Sequence, residues 1–307
     1  MKVFISGVNG FVGEHLSSFF LSKGFQVYGN GRSDFKKNEI KYYKLDILDS
    51  KRLKSAISKI KPEIIVHLAA FSSVKGCNEN PGICEEINVT GTKNILDSAA
   101  VLKEKPKILV VSSGEVYGNQ KPPFRETLKL LPISPYGQIK KKQEEVCMDY
   151  FKKHSLRIII ARSFQHAGPG QQPIYAISDF AKQIAEIEKK IREPVIKVGN
   201  IDVKRDFTDI RDVVKAYLLA IEKCTDGETY NICSGKPHSI GEILQKMVSY
   251  TDAKIKIIQD PAKIRTNNIP ILQGDCTKFM ECTGWRPEIP IEDTLKDTLN
   301  FWRNKVK

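Results

Sequence analysis

KVFISGVNGFVGEHLSSFFL, residues 2–21, decides the fold. KVFIS is a short apolar run with β-branched residues and reads as a strand. Gly7, Gly10 and Gly13 follow at steps of three, and from Phe11 to about Leu21 the apolar residues recur with a helical period. Gly7 permits a tight turn, Gly10 lets the backbone approach a pyrophosphate, and Gly13 lets the helix pack close to the strand. The free N–H groups of the helix N-terminus would then face the phosphates. Three spaced glycines alone are a weak signal; between a strand and a helix they are a strong one for a dinucleotide site.

The pattern repeats outward from there. FQVYGN (25–30) and KYYKLD (41–46) read as strands, and a helix is expected from about Ser50. EIIVHLAA (63–70) is a buried strand, followed by a long helical region after Pro81. KILVVSS (107–113), a helix from Ser134–Tyr136 to about His154, and LRIIIARSF (156–164) complete the series. Apolar runs alternating with helical periods imply βαβ units. The fold class is therefore α/β, a doubly wound parallel sheet of the Rossmann type. From about residue 165 the texture changes. GPGQQPIY is a Gly/Pro-rich loop; an amphipathic helix near 176–191, a strand at IKVGN, a helix from Ile210 and a final helix near Ile291–Arg303 follow. The expected division is a dinucleotide-binding domain at 1–164 and a smaller α/β substrate-binding lobe at 165–307, with some of its segments returning to the first domain.

Composition bounds the function. The 307 residues are 41% hydrophobic and 28% charged, an ordinary globular balance. Apolar runs such as IIVHLAA are too short to span a bilayer, and the N-terminus lacks a signal peptide's long apolar region; a cytoplasmic protein without membrane contact is expected. Seven cysteines without a CxxC pair suggest free thiols rather than a disulfide framework. The five histidines are isolated, without metal-ligand spacing, so no metal is expected. The net charge of +13 is spread along the chain with no nucleic-acid motif, so it favours anionic small molecules over nucleic acid.

After the second strand comes GNGRS, with no acidic residue until Asp34 to bond a ribose 2′-hydroxyl. Arg32 suits a 2′-phosphate instead, so NADP(H) is preferred and NAD(H) remains possible. Asp46, in KLDILD, is a candidate partner for the adenine amino group, and Leu68, Ala69 and Ala70 provide a floor for a cofactor. Ser113 and Glu115 emerge at the carboxyl end of the fifth strand, where ligands of such sheets bind. Twenty-three residues on, Tyr136 and Lys140 are spaced i, i+4 and share one helix face. That spacing fits either a solvated helix start or a proton donor tuned by a cation, which would lower the ordinary phenol pKa of about 10.

GxxGxxG, SSGEVYG, SPYGxxK, RDFTDIRDVV and TGWRP, in this order over essentially the whole chain, resemble the extended short-chain dehydrogenase/reductases that act on nucleotide sugars. The resemblance implies that Tyr136 exchanges a proton with the sugar's C4 oxygen and that Ser113 polarises the same oxygen. Lys140 would activate Tyr136 and hold the nicotinamide ribose. Glu115 would be either a base or a polar group that orients the substrate. Asn9, Phe11, Val12, Ile47 and Ser112 would join the cofactor contacts. DFAKQIAEIE, EPVIKVGN, SSVK and HAGPGQ are most similar to the GDP-6-deoxy-D-mannose reductase branch. Phe11 and Val12 stand between the second and third glycines, where the related GDP-mannose 4,6-dehydratases carry Gln-Asp.

That branch implies reduction of GDP-4-keto-6-deoxy-D-mannose to GDP-D-rhamnose for cell-surface glycans. The implied substrate contacts are Ser72 and Ser73 for the hexose, Lys197 and Asn200 for the nucleotide, and Arg205 and Arg265 for the diphosphate. Gln165 stands where the family has Asn, and Thr266 follows Arg265 where it has Pro; a heptose or another 6-deoxyhexose stays open. Lys141 and Lys142 read as solvated and Arg162 as structural. A homodimer through the helices near 82–103 and 136–154 is implied. The alternatives are a 4-epimerase, a 4,6-dehydratase and, in another class, a non-catalytic NADP(H)-binding protein.

Overall fold

The computed structural model describes residues 1–264 and 269–307. The chain runs β1 (Lys2–Ser6), α1 (Phe11–Ser22), β2 (Gln26–Gly31), β3 (Lys41–Lys44), α2 (Ser50–Ile60) and β4 (Ile64–His67). Two short helices follow, α3 (Val74–Glu79) and α4 (Pro81–Glu85), then a wider helical turn at Glu86–Thr90 and α5 (Gly91–Ala100). After β5 (Lys107–Ser113), α6 (Pro135–His154) and β6 (Arg157–Ser163) come β7 (Gln165–Ala167), α7 (Ala176–Glu188), β8 (Val195–Val198), β9 (Lys204–Asp209) and α8 (Ile210–Lys223). The remainder is β10 (Thr229–Ile232), β11 (Pro237–Ser239), α9 (Ile240–Val248), β12 (Lys256–Gln259), β13 (Ile271–Leu272), α10 (Thr277–Thr283) and α11 (Ile291–Lys305).

Among the described residues, seven strands form one sheet in the order β10-β6-β5-β4-β1-β2-β3, and all its pairings are parallel. Parallel strands need crossovers that cover both faces, so their apolar residues alternate between two cores. β1 shows it: Val3 and Ile5 pack on the side of α1 and α8, while Phe4 packs on the side of α2 and α5. The order reverses between β1 and β4, and the crevice at the carboxyl ends of the strands opens there. A third core gathers α7, α9 and α11 over the small sheet built on β9.

Three details differ from the sequence reading. β10, a strand not named from the sequence, pairs with β6 and closes the main sheet (Thr229 with Ile160, Ile232 with Ser163), a segment of the second half that returns to the first domain. The long helical region expected after Pro81 is present and runs to Ala100, but it carries a wider turn at Glu86–Thr90 that the sequence reading did not foresee. The third is a correction: Cys77 and Cys84 form a disulfide with Cα atoms 5.4 Å apart, and the other five cysteines are free. Seven residues along one continuous helix would separate those Cα atoms by about 10 Å. The chain turns at Asn80, Pro81 starts a new helix, and the two thiols meet across the turn. Among the described residues, no helix is long and apolar enough to cross a membrane.

Candidate active site

One cavity of about 1350 Å³ runs along the carboxyl ends of the strands and between the main sheet and the α7 side of the molecule. The glycine loop forms its first wall. Gly7 adopts φ +72°, and a Cβ there would lie 3.0 Å from the Ala69 backbone. A Cβ on Gly13 would lie 2.3 Å from the Gly7 carbonyl oxygen, so α1 approaches β1 more closely than any side chain allows. Gly10, at the N-cap of α1, gives the helix no side-chain cap. The leading amides are thus left to a ligand, and the macrodipole favours an anionic one. Phe11 stacks on His166 (6.2 Å between centroids) and meets His15 edge-on (5.3 Å), which ties the loop to β7. The loop therefore fits a dinucleotide pyrophosphate.

Asn9, Arg32, Asp46 and Ile47 line one end of the cavity. Asn9 Nδ2 donates to Ser33 Oγ at 2.8 Å and the Tyr42 hydroxyl donates to the Ser33 carbonyl, which fixes the segment beside Arg32. Asp46 Oδ1 accepts from the Leu48 amide at 3.0 Å. Leu68, Ala69 and Ala70 form the floor. A buried relay sets its height. Ser6 Oγ accepts from the Leu68 and Ala69 amides at 3.1 Å and donates to His67 Nδ1 at 2.7 Å. His67 Nε2 meets Thr92 Oγ1 at 2.9 Å, and that hydroxyl donates to the Asn88 carbonyl at 2.6 Å. With the Thr92 proton committed, His67 must donate through Nε2; the tautomer follows from the network. Burial pushes His67 down to about 3, with the Lys140 charge acting in the same direction, so the ring is neutral.

β5 and α6 bring in Ser112, Ser113, Glu115, Tyr136 and Lys140. Pro135 starts α6, and Ser134 caps it by accepting from the Gly137 amide at 3.1 Å. A Cβ on Gly137 would sit 2.7 Å from the Glu115 carbonyl, so the first turn of α6 lies directly on the end of β5. The electrostatics differ from the expected pairing. Burial, not Lys140, dominates at Tyr136 and raises its phenol well above 10; Tyr175 and Glu115 add to this, and a hydrogen bond with Ser113 opposes it. Lys140 Nζ donates to the Val111 carbonyl at 2.6 Å. Its pKa falls to about 8 through burial, opposed by Glu144. The phenol is thus held in its protonated form.

The opposite wall carries Ser72, Ser73, Gln165, Lys197, Asn200 and Arg205. Ser72 Oγ bonds the Tyr175 hydroxyl at 2.9 Å, whereas Ser73 Oγ caps α3 by accepting from Gly76. Gln165 Oε1 is buried and has no hydrogen-bond partner among the described residues. Arg205 Nη1 donates to the carbonyls of Lys204 and Ile269, both at 2.8 Å. Its neighbour Asp206 accepts from the Ser234, Gly235 and Gly274 amides and so anchors the strand. Asn200 Oδ1 accepts from the Asp202 amide. Arg265 lies outside the described residues. Every other site residue named from the sequence lines this one cavity. Sequence reasoning missed Tyr175, His166, Asp179 and Tyr217, which also line it. Tyr175 ends the GPGQQPIY loop, and His166 and Asp179 open the HAGPGQ and DFAKQIAEIE stretches, so only Tyr217 stood outside the segments singled out above. Among the described residues, no group of three or more His, Cys, Asp or Glu could hold a metal ion.

The GDP-mannose 4,6 dehydratase family matches residues 4–298. GDP-6-deoxy-D-mannose reductase of Pseudomonas aeruginosa is 30% identical, over 100% of this chain and 98% of its own length. UDP-glucuronate 4-epimerase of Thermodesulfobacterium geofontis is also 30% identical, over 99% and 96%. The solved structure of RMD from Pseudomonas aeruginosa complexed with NADPH superposes with a TM-score of 0.88 at 29% identity, covering 99% of each chain. A glycine loop, a Ser-Tyr-Lys wall and a single long cavity, together with these matches, place the chain in the GDP-mannose 4,6 dehydratase family, among the nucleotide-sugar-modifying enzymes of the NAD(P)-dependent short-chain dehydrogenase/reductase type.

Proposed function

We propose that the enzyme reduces the C4 keto group of a nucleotide-activated 6-deoxyhexose with NADPH, converting GDP-4-keto-6-deoxy-D-mannose to GDP-D-rhamnose. One observation carries this reading: Ser113, Tyr136 and Lys140 line the cavity that also holds the glycine loop and Lys197, Asn200 and Arg205. Likeness to the Pseudomonas reductase over the full chain supports the choice of substrate.

NADPH, when bound, supplies a hydride to C4. Tyr136 gives its phenolic proton to the oxygen on that carbon, and Ser113 donates a hydrogen bond to the same oxygen. Burial keeps the phenol loaded with its proton, the form a reduction requires. Lys140 spends one of its three donors on the Val111 carbonyl, leaving two for the nicotinamide ribose. Gln165, with its unpartnered buried oxygen, serves the hexose hydroxyls. Lys197, Asn200 and Arg205 hold the nucleotide and diphosphate.

The NADPH preference rests on Arg32, exposed at the cavity rim. Arg32→Ala is expected to weaken NADPH binding by about 10- to 100-fold, the worth of a charge-assisted bond, and to leave NADH binding unchanged. Fluorescence titration with the two cofactors checks it. The same reading carries a homodimer through the helices near 82–103 and 136–154, measurable by sedimentation.

NADPH consumption with GDP-4-keto-6-deoxy-D-mannose generated in place, and NMR identification of the product, test the function. GDP-D-rhamnose formed with NADPH oxidised supports it; no oxidation rejects this substrate. The epimerase relative, equally identical over 99% of the chain, favours a second reading. In that case the protein purifies with NAD bound and interconverts a sugar nucleotide without added cofactor.

A further inference from the structure

Tyr136 and Lys140 share their face of α6 with a third polar residue one turn further on, Glu144. Its carboxylate is enclosed. Arg162 of β6 meets it with Nε at 3.0 Å and Nη2 at 2.7 Å, and the two side chains are only 7% and 6% exposed. Ser112 Oγ donates to Glu144 Oε1 at 2.5 Å, so this cavity-lining serine commits its hydroxyl proton to the glutamate. Arg162 also donates to the Tyr117 hydroxyl at 2.9 Å, and Tyr117 donates to Asn231 Oδ1 of β10 at 2.8 Å. One chain of bonds thus links β10, β6, α6 and β5, and it ends on the residue just before Ser113.

The titratable groups that interact with the Lys140 ammonium are Glu144 and Cys147 on α6 and His67 on β4, with Arg162 on β6 paired to Glu144. Burial pushes the Cys147 thiol up to about 12 and His67 down to about 3, so both are neutral near neutrality. Of these groups, Glu144 supplies the negative charge.

We propose that Glu144 is the positioning residue of the catalytic face: clamped by Ser112 and Arg162, it sets how α6 lies on the sheet and gives the buried Lys140 ammonium its counter-charge. The proposal rests on Lys140 being the lysine that serves the cofactor. A glutamate that only packs would change stability and leave the proton affinity of Lys140 alone.

The test uses the full chain with ¹³C-labelled lysine and no cofactor. The ε-carbon resonance of Lys140, assigned by its loss in Lys140→Met, is followed against pH. Glu144→Gln keeps the side-chain shape and removes the charge. The Lys140 midpoint, about 8 in the native chain, is expected to fall by about one unit or more, because the influence that opposes burial is gone. The alkaline limb of NADPH binding moves down with it. An unchanged midpoint in folded Glu144→Gln overturns the proposal. Since that variant strands the Arg162 guanidinium, Glu144→Gln/Arg162→Met is made in parallel to relieve the stranded charge. Recovered thermal stability with a midpoint still low supports the proposal; recovered stability with the native midpoint overturns it. Neither readout uses a sugar, so failure of the native enzyme to reduce GDP-4-keto-6-deoxy-D-mannose sinks the proposed function separately.

Discussion

Tyr136→Phe is expected to lower turnover by about 10²- to 10⁴-fold, the usual worth of a positioned proton donor. NADPH binding should stay within about twofold, because only a hydroxyl is removed and the ring keeps its packing. The phenol is buried beside Ser113, Glu115 and Tyr175. Steady-state kinetics with parallel cofactor titration separates the two effects: the loss belongs in kcat, not in the cofactor Kd. Unchanged turnover removes Tyr136 from the mechanism. A loss equally large in cofactor binding shows that the hydroxyl serves to hold the cofactor rather than to pass a proton.

Gly13→Ala tests the other end of the site. Its Cβ would lie 2.3 Å from the Gly7 oxygen and 2.6 Å from the Val8 oxygen, both main-chain atoms that no rotamer change can move. α1 must slide outward and carry the phosphate-facing amides with it. Overpacking of this kind costs about 1–3 kcal/mol. If it falls on the bound state, NADPH affinity drops by about 5- to 150-fold. Gly82→Ala is the control: a Cβ there meets nothing within 4 Å, and NADPH binding should not change. Equal affinity for Gly13→Ala and Gly82→Ala would mean that the loop does not hold the pyrophosphate.

How much of this was legible in the sequence depends on how local the cause is. The β1–loop–α1 unit could be read because a strand period, three glycines and a helical period adjoin one another. The Tyr136–Lys140 pair could be read because one helix turn fixes its geometry. β10 could not: TYNI is four residues of no special pattern, and only its docking on β6 makes it part of the sheet. Glu144 sits in KKKQEE, which reads as a solvated face; it is buried because Arg162 waits on a strand that lies elsewhere in the sequence. The Cys77–Cys84 bond needed the turn at Asn80, which no cysteine spacing announces. The lowering of the Tyr136 pKa anticipated from Lys140 lost to burial, a property of the folded interior rather than of the helix.

Because β10 comes from the C-terminal half yet borders β6 in the cofactor sheet, the two halves of the enzyme are not interchangeable parts. A fragment ending at residue 164 would leave the main-chain groups of β6 unpaired along one side, an open edge of the kind that invites pairing between chains. Exchanging the C-terminal half with that of a relative would replace a strand of the main sheet as well as the Lys197, Asn200 and Arg205 wall of the cavity. It would also change Asn231, the terminal link of the bond chain that reaches α6. In such an architecture, the C-terminal half cannot be exchanged without altering the sheet that carries Ser113.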